Sequence, residues 1–586
     1  MTSRTIVAIA LAAALAACSQ PEPEPEFDAE AIIIGAGISG LSAALEMGRA
    51  GVDVLLVDMN TVPGGHAVMA GGFAIIDTPT QQAAGFTDSP DRAYEDWQEW
   101  TEDGDPEWTR YYVENSRELI YDWAVELGAD WVRVAVGGYE NSVPRFHFSE
   151  HGAVDYVLAL VRAALELQNV KFIWNQRVDH LTVDSGRVTG VEITNLRTGE
   201  MQTLRGEHMI LATGGFEGDL ERVLANWMPD LPEPDRLLVG ASTHARGQGL
   251  DLASEVGAEI ANLDRQYIYT NGTVNIRDPE GVFAITAGND LSMWVNSNGE
   301  RFTNEIGFDK TILVDLLNQD PTTYWAIFDE AGRDGISARG VEWINTPMDG
   351  HPLLDNPEIT SKATTLTELA ESIGIPTDAL ASSVAHYNAM IDAGEDADFS
   401  RFVTAEDAPP RIEQPPFYAI QFFPMTRKSM GGVTIDMQGR ALNDNGDIIP
   451  GLYAIGELTG SVGINGKHGM DGMFLGPAVL TGRIAGRTIA AAHASRDGAL
   501  ELRAPAAEDS MPAPGDWEPS LTATELEALL ATPRDGYWHF ERSHELVLER
   551  QYQCTDCHSA EVPFFPVNNR TSKLAQAELC STCHGR

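Results

Sequence analysis

The stretch Gly35-Ala36-Gly37-Ile38-Ser39-Gly40 constrains this chain more than any other. It follows directly on the apolar run Ala31-Ile32-Ile33-Ile34, and Leu41 to Arg49 continues with apolar residues at helical spacing. Val52 to Val57 reads as the next strand and ends at Asp58. A strand, a glycine turn, a helix and a strand closed by an acid form the unit that wraps a dinucleotide. Gly35 permits the tight turn, Gly37 lets backbone approach a pyrophosphate, and Gly40 lets the helix pack on the strand. The N–H groups at the helix start face phosphate, and Asp58 is placed to hydrogen-bond a ribose hydroxyl. A lone glycine pattern is weak evidence; in this context it is strong.

More glycines punctuate the chain at distant points: Gly64-Gly65-His66, then Gly71-Gly72, then Thr213-Gly214-Gly215 after the strand Ile210 to Ala212. Near residue 450, Gly451 to Ile455 is another strand, delivering Gly456 and Glu457 to one point. Each segment has the signature of backbone approaching a flat ligand. Composition adds an exclusion. The 586 residues carry 39 Lys plus Arg against 87 Asp plus Glu, a formal charge of −48. Phosphate binding needs basic clusters, so nucleic acid is excluded as a partner. The acidity reads as a solvated surface that favours solubility, or as a docking face for a basic redox partner.

The glycine segments resemble the fumarate reductase and succinate dehydrogenase flavoprotein superfamily, in particular its periplasmic flavocytochrome c branch. Further matching pieces are Gly247-Gln-Gly-Leu250, Asn298-Gly-Glu-Arg-Phe302 with Asn304-Glu305, and Ser429-Met-Gly-Gly432. The resemblance implies an α/β fold: a Rossmann-like FAD-binding domain in two parts, 29–266 and 429–496, with an α+β capping domain, 267–428, inserted between them. It also implies FAD, held by the glycines above with Asp58, His66, Val178, Thr213, Glu457, Phe474 and Leu475, and a small organic substrate bound between cap and flavin. His66 either lines the flavin site or, as in some relatives, bonds to it covalently; the spacing to Gly71 favours lining.

The five cysteines sit at the two ends of the chain. Arg4 and the short apolar run Ile6 to Ala16 read as an export signal, too short for a spanning helix. Leu15-Ala16-Ala17-Cys18 resembles the bacterial lipoprotein cleavage box, which implies a 1–18 signal segment with lipidation of Cys18 and removal of everything before it; an ordinary secretory signal is the alternative. Residues 19–28 are a Pro/Glu tether. The expected location is the periplasmic side of a bacterial membrane, the outer membrane before the inner, with attachment through the N-terminal lipid.

At the other end, Cys554-Thr-Asp-Cys557-His558 and Cys580-Ser-Thr-Cys583-His584 both read C-x-x-C-H. Two thiols at this spacing add to the vinyl groups of one haem, and the following histidine becomes an iron ligand. A four-cysteine zinc site is the rival. The histidine after each pair and the exported compartment decide for two covalent c-type haems. His539 and His544 are left for the distal positions, unless another group supplies the sixth ligand. Residues 497–535 form a linker with a short helix, and 536–586 the mostly irregular and helical di-haem cytochrome c module.

The substrate side departs from the resemblance. Where it places a proton-delivering arginine, the chain reads Asn304-Glu-Ile-Gly-Phe-Asp-Lys310, with Phe308 or Asp309 at that place. Ile285 and Gly288 stand where a Glu/Arg relay is expected, and Asn271 replaces a substrate-binding histidine. Lys467-His468-Gly469 occupies the neighbourhood of a carboxylate-clamping arginine. Together these argue against fumarate. The candidate catalytic groups are His468, Lys467, Arg427, Lys428, Arg145 and His147, each of which could instead be a surface charge or structural hydrogen-bonder. Histidine suits proton transfer, and lysine or arginine suits an anion or enolate. The expected activity is reduction of an activated C=C bond by electrons passed from a periplasmic or membrane redox partner through the haems to FAD. A dehydrogenase running the reverse way, and a non-catalytic electron-transfer or sensing protein, are the alternatives.

Overall fold

A computed structural model describes residues 27–496 and Leu502, except 61–62, 136–140, 151, 197, 276–277, 279, 307–309 and 340–352. Cys18, the tether up to Glu26, Phe308, Asp309 and the tail with Cys554, Cys557, Cys580, Cys583, His539, His544, His558 and His584 lie outside the described residues.

The glycine unit folds as its sequence predicts. The strand Ala31–Ile34 pairs in parallel with Val54–Val57 on one side and His208–Leu211 on the other. Val170–Ile173 extends the sheet beyond Val54–Val57, and Ile448–Ala454 extends it beyond His208–Leu211, with Arg440–Leu442 antiparallel at the edge. All four residues of each of the three central strands are buried. That is why those strands read as unbroken apolar runs: a parallel sheet is covered on both faces.

Two helices cover one side together. Ile38–Arg49 packs against Leu475–Ala494, and the contact is backbone to backbone. A methyl group on Gly482 would lie 2.3 Å from Ser39 O, and one on Gly486 would lie 2.8 Å from Ala43 O. Glycine is therefore a packing requirement of this helix pair. An antiparallel sheet of Gln176–Asp184, Arg187–Asn195 and Met201–Arg205 contacts the main sheet through its middle strand.

A second, eight-stranded sheet occupies most of residues 266–429. Its organiser is the 13-residue strand Phe417–Ser429. The first half of this strand pairs with Tyr324–Phe328 and Thr360–Ala363. The second half pairs with Gln266–Val274, out to Gln266 opposite Ser429. One strand thus belongs to the capping sheet at its start and carries Arg427, Lys428 and Ser429 to the dinucleotide half at its end. The helices Leu366–Ile373 and Thr377–Ala393 pack on one another beside this sheet. Arg301 ties the layer together: it bonds Glu305 through Nε at 2.8 Å and Asp396 through Nη2 at 2.9 Å, with all three side chains buried. Among the described residues no helix is long and apolar enough to cross a membrane.

Candidate active site

The glycine turns converge on one cleft at the C-terminal ends of the parallel strands, where such sheets bind ligands. It encloses about 1180 Å³, part of it open to solvent. Gly35, Gly37, Asp58, Gly64, Gly65, His66, Val178, Thr213, Gly214, Gly215, Glu457, Phe474 and Leu475 all line it, and so does Lys428. Gly40, Gly71, Gly72 and Gly456 do not; Gly40, Gly72 and Gly456 serve packing. A Cβ on Gly40 would strike Gly35 O at 2.0 Å, one on Gly72 would strike His147 O at 2.1 Å, and one on Gly456 would meet Ser39 Oγ at 2.5 Å.

The lining fits a dinucleotide. No side chain caps the N-terminus of the helix Ile38–Arg49. Asp58 closes the turn by accepting the Ala36 N–H and the Asn60 N–H, each at 2.7 Å. Burial raises its carboxyl above the ordinary range, against those two hydrogen bonds. Thr213 Oγ1 is buried in the cleft wall without a hydrogen-bond partner among the described residues, a vacancy that a ligand hydroxyl or phosphate would fill. At Gly214, with φ +77°, an added Cβ would meet nothing within 4 Å, so the backbone there is open to a ligand.

Where the cleft meets the capping sheet, ionisable groups gather from three parts of the chain. His66 Nδ1 lies 3.3 Å from Lys428 Nζ and 3.6 Å from Glu457 Oε2. Arg427 Nη1 approaches His66 Nε2 at 3.5 Å, while its guanidinium donates to Gly240 O and to Met69 O at 3.1 Å. Burial, reinforced by the Lys428 charge, lowers His66 to about 4, so its imidazole is neutral at pH 7. Burial also lowers Lys428, to about 8. Burial would raise Glu457, but Lys428, His66 and the Ser429 N–H outweigh it and hold the carboxylate at about 2. Beside them Tyr267 stacks on Phe474, ring centroids 5.5 Å apart and nearly parallel, and Arg427 lies 5.6 Å from the Tyr269 ring.

The other candidate catalytic groups lie elsewhere. Arg145 is fully buried; Asp88 takes Nε and Nη2 at 2.8 Å each, and Asp96 and Asn141 take Nη1. His147 is equally buried, bonded through Nε2 to Thr78 Oγ1 and through Nδ1 to Arg145 O, both at 2.6 Å. Both side chains form an internal brace beneath the Phe73–Ala74 strand and do not line the cleft. Lys467 is exposed. His468 is half-buried, 3.4 Å from Glu102, which also pairs with Lys310 at 2.8 Å. The two departures at Asn271 and Gly288 turn out to share one place: a Cβ on Gly288 would lie 3.8 Å from Asn271 Nδ2.

Sequence reading missed Gln176, Ser242, His244 and Gln248 in the lining, and Glu217 behind it. Gln248 stands inside the quoted Gly247-Gln-Gly-Leu250 motif, His244 three residues before it, and Glu217 two residues after Gly215, so position in or beside a motif was the signal available.

A dinucleotide cleft of this form, with buried cationic and proton-carrying groups at its inner end, defines a flavin-dependent oxidoreductase. The chain belongs to the FAD binding domain family, matched over residues 30–476, within the fumarate reductase and succinate dehydrogenase flavoprotein superfamily. It is similar to a fumarate reductase (cytochrome) of Shewanella frigidimarina, 31% identical over 467 residues, 79% of this chain and 77% of that protein. It is 29% identical over 529 residues to a KsdD-like steroid dehydrogenase of Mycolicibacterium smegmatis, across 76% of this chain and 96% of the relative. The open conformation of a flavocytochrome c3 fumarate reductase superposes with TM-score 0.67 at 27% identity, covering 83% of this chain and 81% of the other. The chain is an FAD-dependent oxidoreductase acting on CH–CH bonds.

Proposed function

We propose that this protein is an exported, lipid-anchored flavocytochrome that reduces an activated C=C bond of an organic substrate other than fumarate. The observation that carries the reading is the inner end of the cleft. There Lys428 and Arg427 present cationic groups beside a neutral His66. Such a set suits a substrate whose alkene is conjugated to a carbonyl: a cation stabilises charge developing on the oxygen, and a nearby acid supplies the proton. FAD, when bound, supplies hydride chemistry and links it to one-electron traffic. The protein's part is to hold Arg427 against two backbone carbonyls and to keep the His66–Lys428 pair away from bulk water.

Against fumarate stand Asn271, Ile285 and Gly288 themselves: none of these three side chains carries a charge to relay a proton. The haem and export parts of the proposal rest on the two C-x-x-C-H motifs and on the leader ending at Cys18. A pyridine-haemochrome assay on the exported protein checks them; two haems per chain is the expected result, and zinc on those thiols the contrary one.

A second reading, a dehydrogenase that desaturates its substrate and sends electrons out through the haems, draws on one feature. Phe474 lines the cleft and Tyr267 stacks on it, an aromatic pair suited to a ring substrate. Substrate screens separate the directions. Compounds that reoxidise chemically reduced protein support the reductase, and compounds that reduce the oxidised protein support the dehydrogenase. Silence across broad alkene and alkane sets supports the non-catalytic alternative.

A further inference from the structure

Glu217 sits directly behind the cleft wall, and the reading so far gives it no task. Its side chain is buried, and neither carboxylate oxygen meets hydrogen-bond geometry with a described residue, although the Ser429 hydroxyl stands close enough to favour its charged form. An unpartnered buried carboxylate is costly, and such a group keeps a proton instead. Its neighbours make the site more specific. A ligand atom each of His66, Glu217 and Glu457 lies within 4.8 Å of the others. Gly215, part of the cleft lining, is what separates Glu217 from the ligand space: a Cβ there would meet Glu217 Oε1 at 2.5 Å and Ser429 Oγ at 2.2 Å.

The groups facing Glu217 come from three elements. Glu457 lies on the turn Gly456–Leu458, His66 on the turn Gly65–Met69, and Lys428 and Ser429 on the long strand. Two carboxyls this close do not both ionise readily. Lys428 and His66 favour the charge on Glu457, so Glu217 is the one left neutral. Burial and the Glu457 charge push Glu217 up to about 8, with the Ser429 hydroxyl and Lys428 offsetting part of the rise.

We propose that Glu217 stores the proton that this cleft exchanges with its substrate, sharing one negative charge with Glu457 and passing its proton to the His66–Lys428 pair. The inference rests on the proposed CH–CH chemistry, which consumes or releases a proton with each turnover. On delivery the Glu217 O–H bond breaks and an N–H bond forms on Lys428 or His66, whose proton leaves toward the substrate. Glu217 becomes a carboxylate, and a proton from solvent returns to it through the same His66–Lys428 pair. In the desaturating direction the same bonds form and break in reverse. Glu217 acts through its neighbours and is a positioning residue, not a catalytic one.

The test is difference infrared spectroscopy of the FAD-loaded protein across pH, which needs no substrate. Wild type should show the C=O stretch of a protonated carboxyl at pH 7, shifted in D2O, titrating away with a midpoint near 8. Glu217→Gln should lack the band. Glu457→Gln should keep it and, with the repelling carboxylate gone, lower the midpoint. A variant that loses FAD is replaced by Glu217→Asp, in which a protonated-carboxyl band should return at a changed frequency. No band in wild type, or an unchanged band in Glu217→Gln, overturns the proposal. If the band behaves as stated while no CH–CH substrate is found, the buried proton on Glu217 stands and its delivery to a substrate falls.

Discussion

Lys428 Nζ lies 3.3 Å from His66 Nδ1, although 362 residues separate them in the chain. The contact joins the end of the capping sheet's longest strand to the second glycine-rich turn of the dinucleotide half. Because the Lys428 charge helps hold His66 near 4, Lys428→Met should raise the His66 titration toward the ordinary 6.5, though burial keeps it below that value. Imidazole proton NMR against pH reads this directly. An unmoved titration would mean the two groups do not feel each other.

Asp58 should decide whether the cleft keeps its cofactor. Asp58→Ala removes the acceptor that locks the Ala36 and Asn60 amides, loosening the turn at the pyrophosphate end. Loss of a hydrogen bond to a charged group is worth about 1.5–3 kcal/mol, so FAD should bind on the order of tenfold or more weakly. Quenching of flavin fluorescence on binding measures it.

Stability should fall on acidification. His66 and His147 are both lowered to about 4 by burial, from an ordinary 6.5. Between those values the unfolded chain binds protons that the folded chain refuses, so stability rises with pH there and is lost as pH falls from 6.5 to 4. His147→Gln, which can keep a bond to Thr78, should flatten that slope in urea titrations. Glu217 acts with the opposite sign. From 4.5 to about 8 the folded chain holds a proton that the unfolded chain has released, so stability declines as pH rises.

Arg145 predicts a stability defect separable from chemistry. Asp88→Ala leaves a buried guanidinium with half its side-chain hydrogen bonds, a change of about 3–5 kcal/mol for a buried pair. Thermal unfolding should shift strongly. Flavin reactivity in the folded fraction should hold, because the brace does not line the cleft.

How much of this was legible in the sequence follows from the range of the forces involved. The turns at Gly35, Gly64 and Gly214 were readable because a positive φ is a local demand met by one residue type. The strand around residue 147 was not. Alternation puts Arg145 and His147 on one face and Phe146 and Phe148 on the other, and apolarity alone assigns the phenylalanines to the interior. The fold buries the polar face instead, because Asp88, Asp96 and Thr78 satisfy it. His66, Lys428 and Glu217 were out of reach together: nothing local in the chain says that positions 66, 217, 428 and 457 meet, and their protonation depends on that meeting.

The most direct measurement is rapid anaerobic mixing of fully reduced protein with a conjugated enone or unsaturated acid, followed at flavin and haem wavelengths together. The account predicts that flavin oxidises first and the haems follow in the same transient, leaving saturated product. Haem oxidation without flavin oxidation, or no reaction of the reduced flavin with any activated alkene, would contradict it.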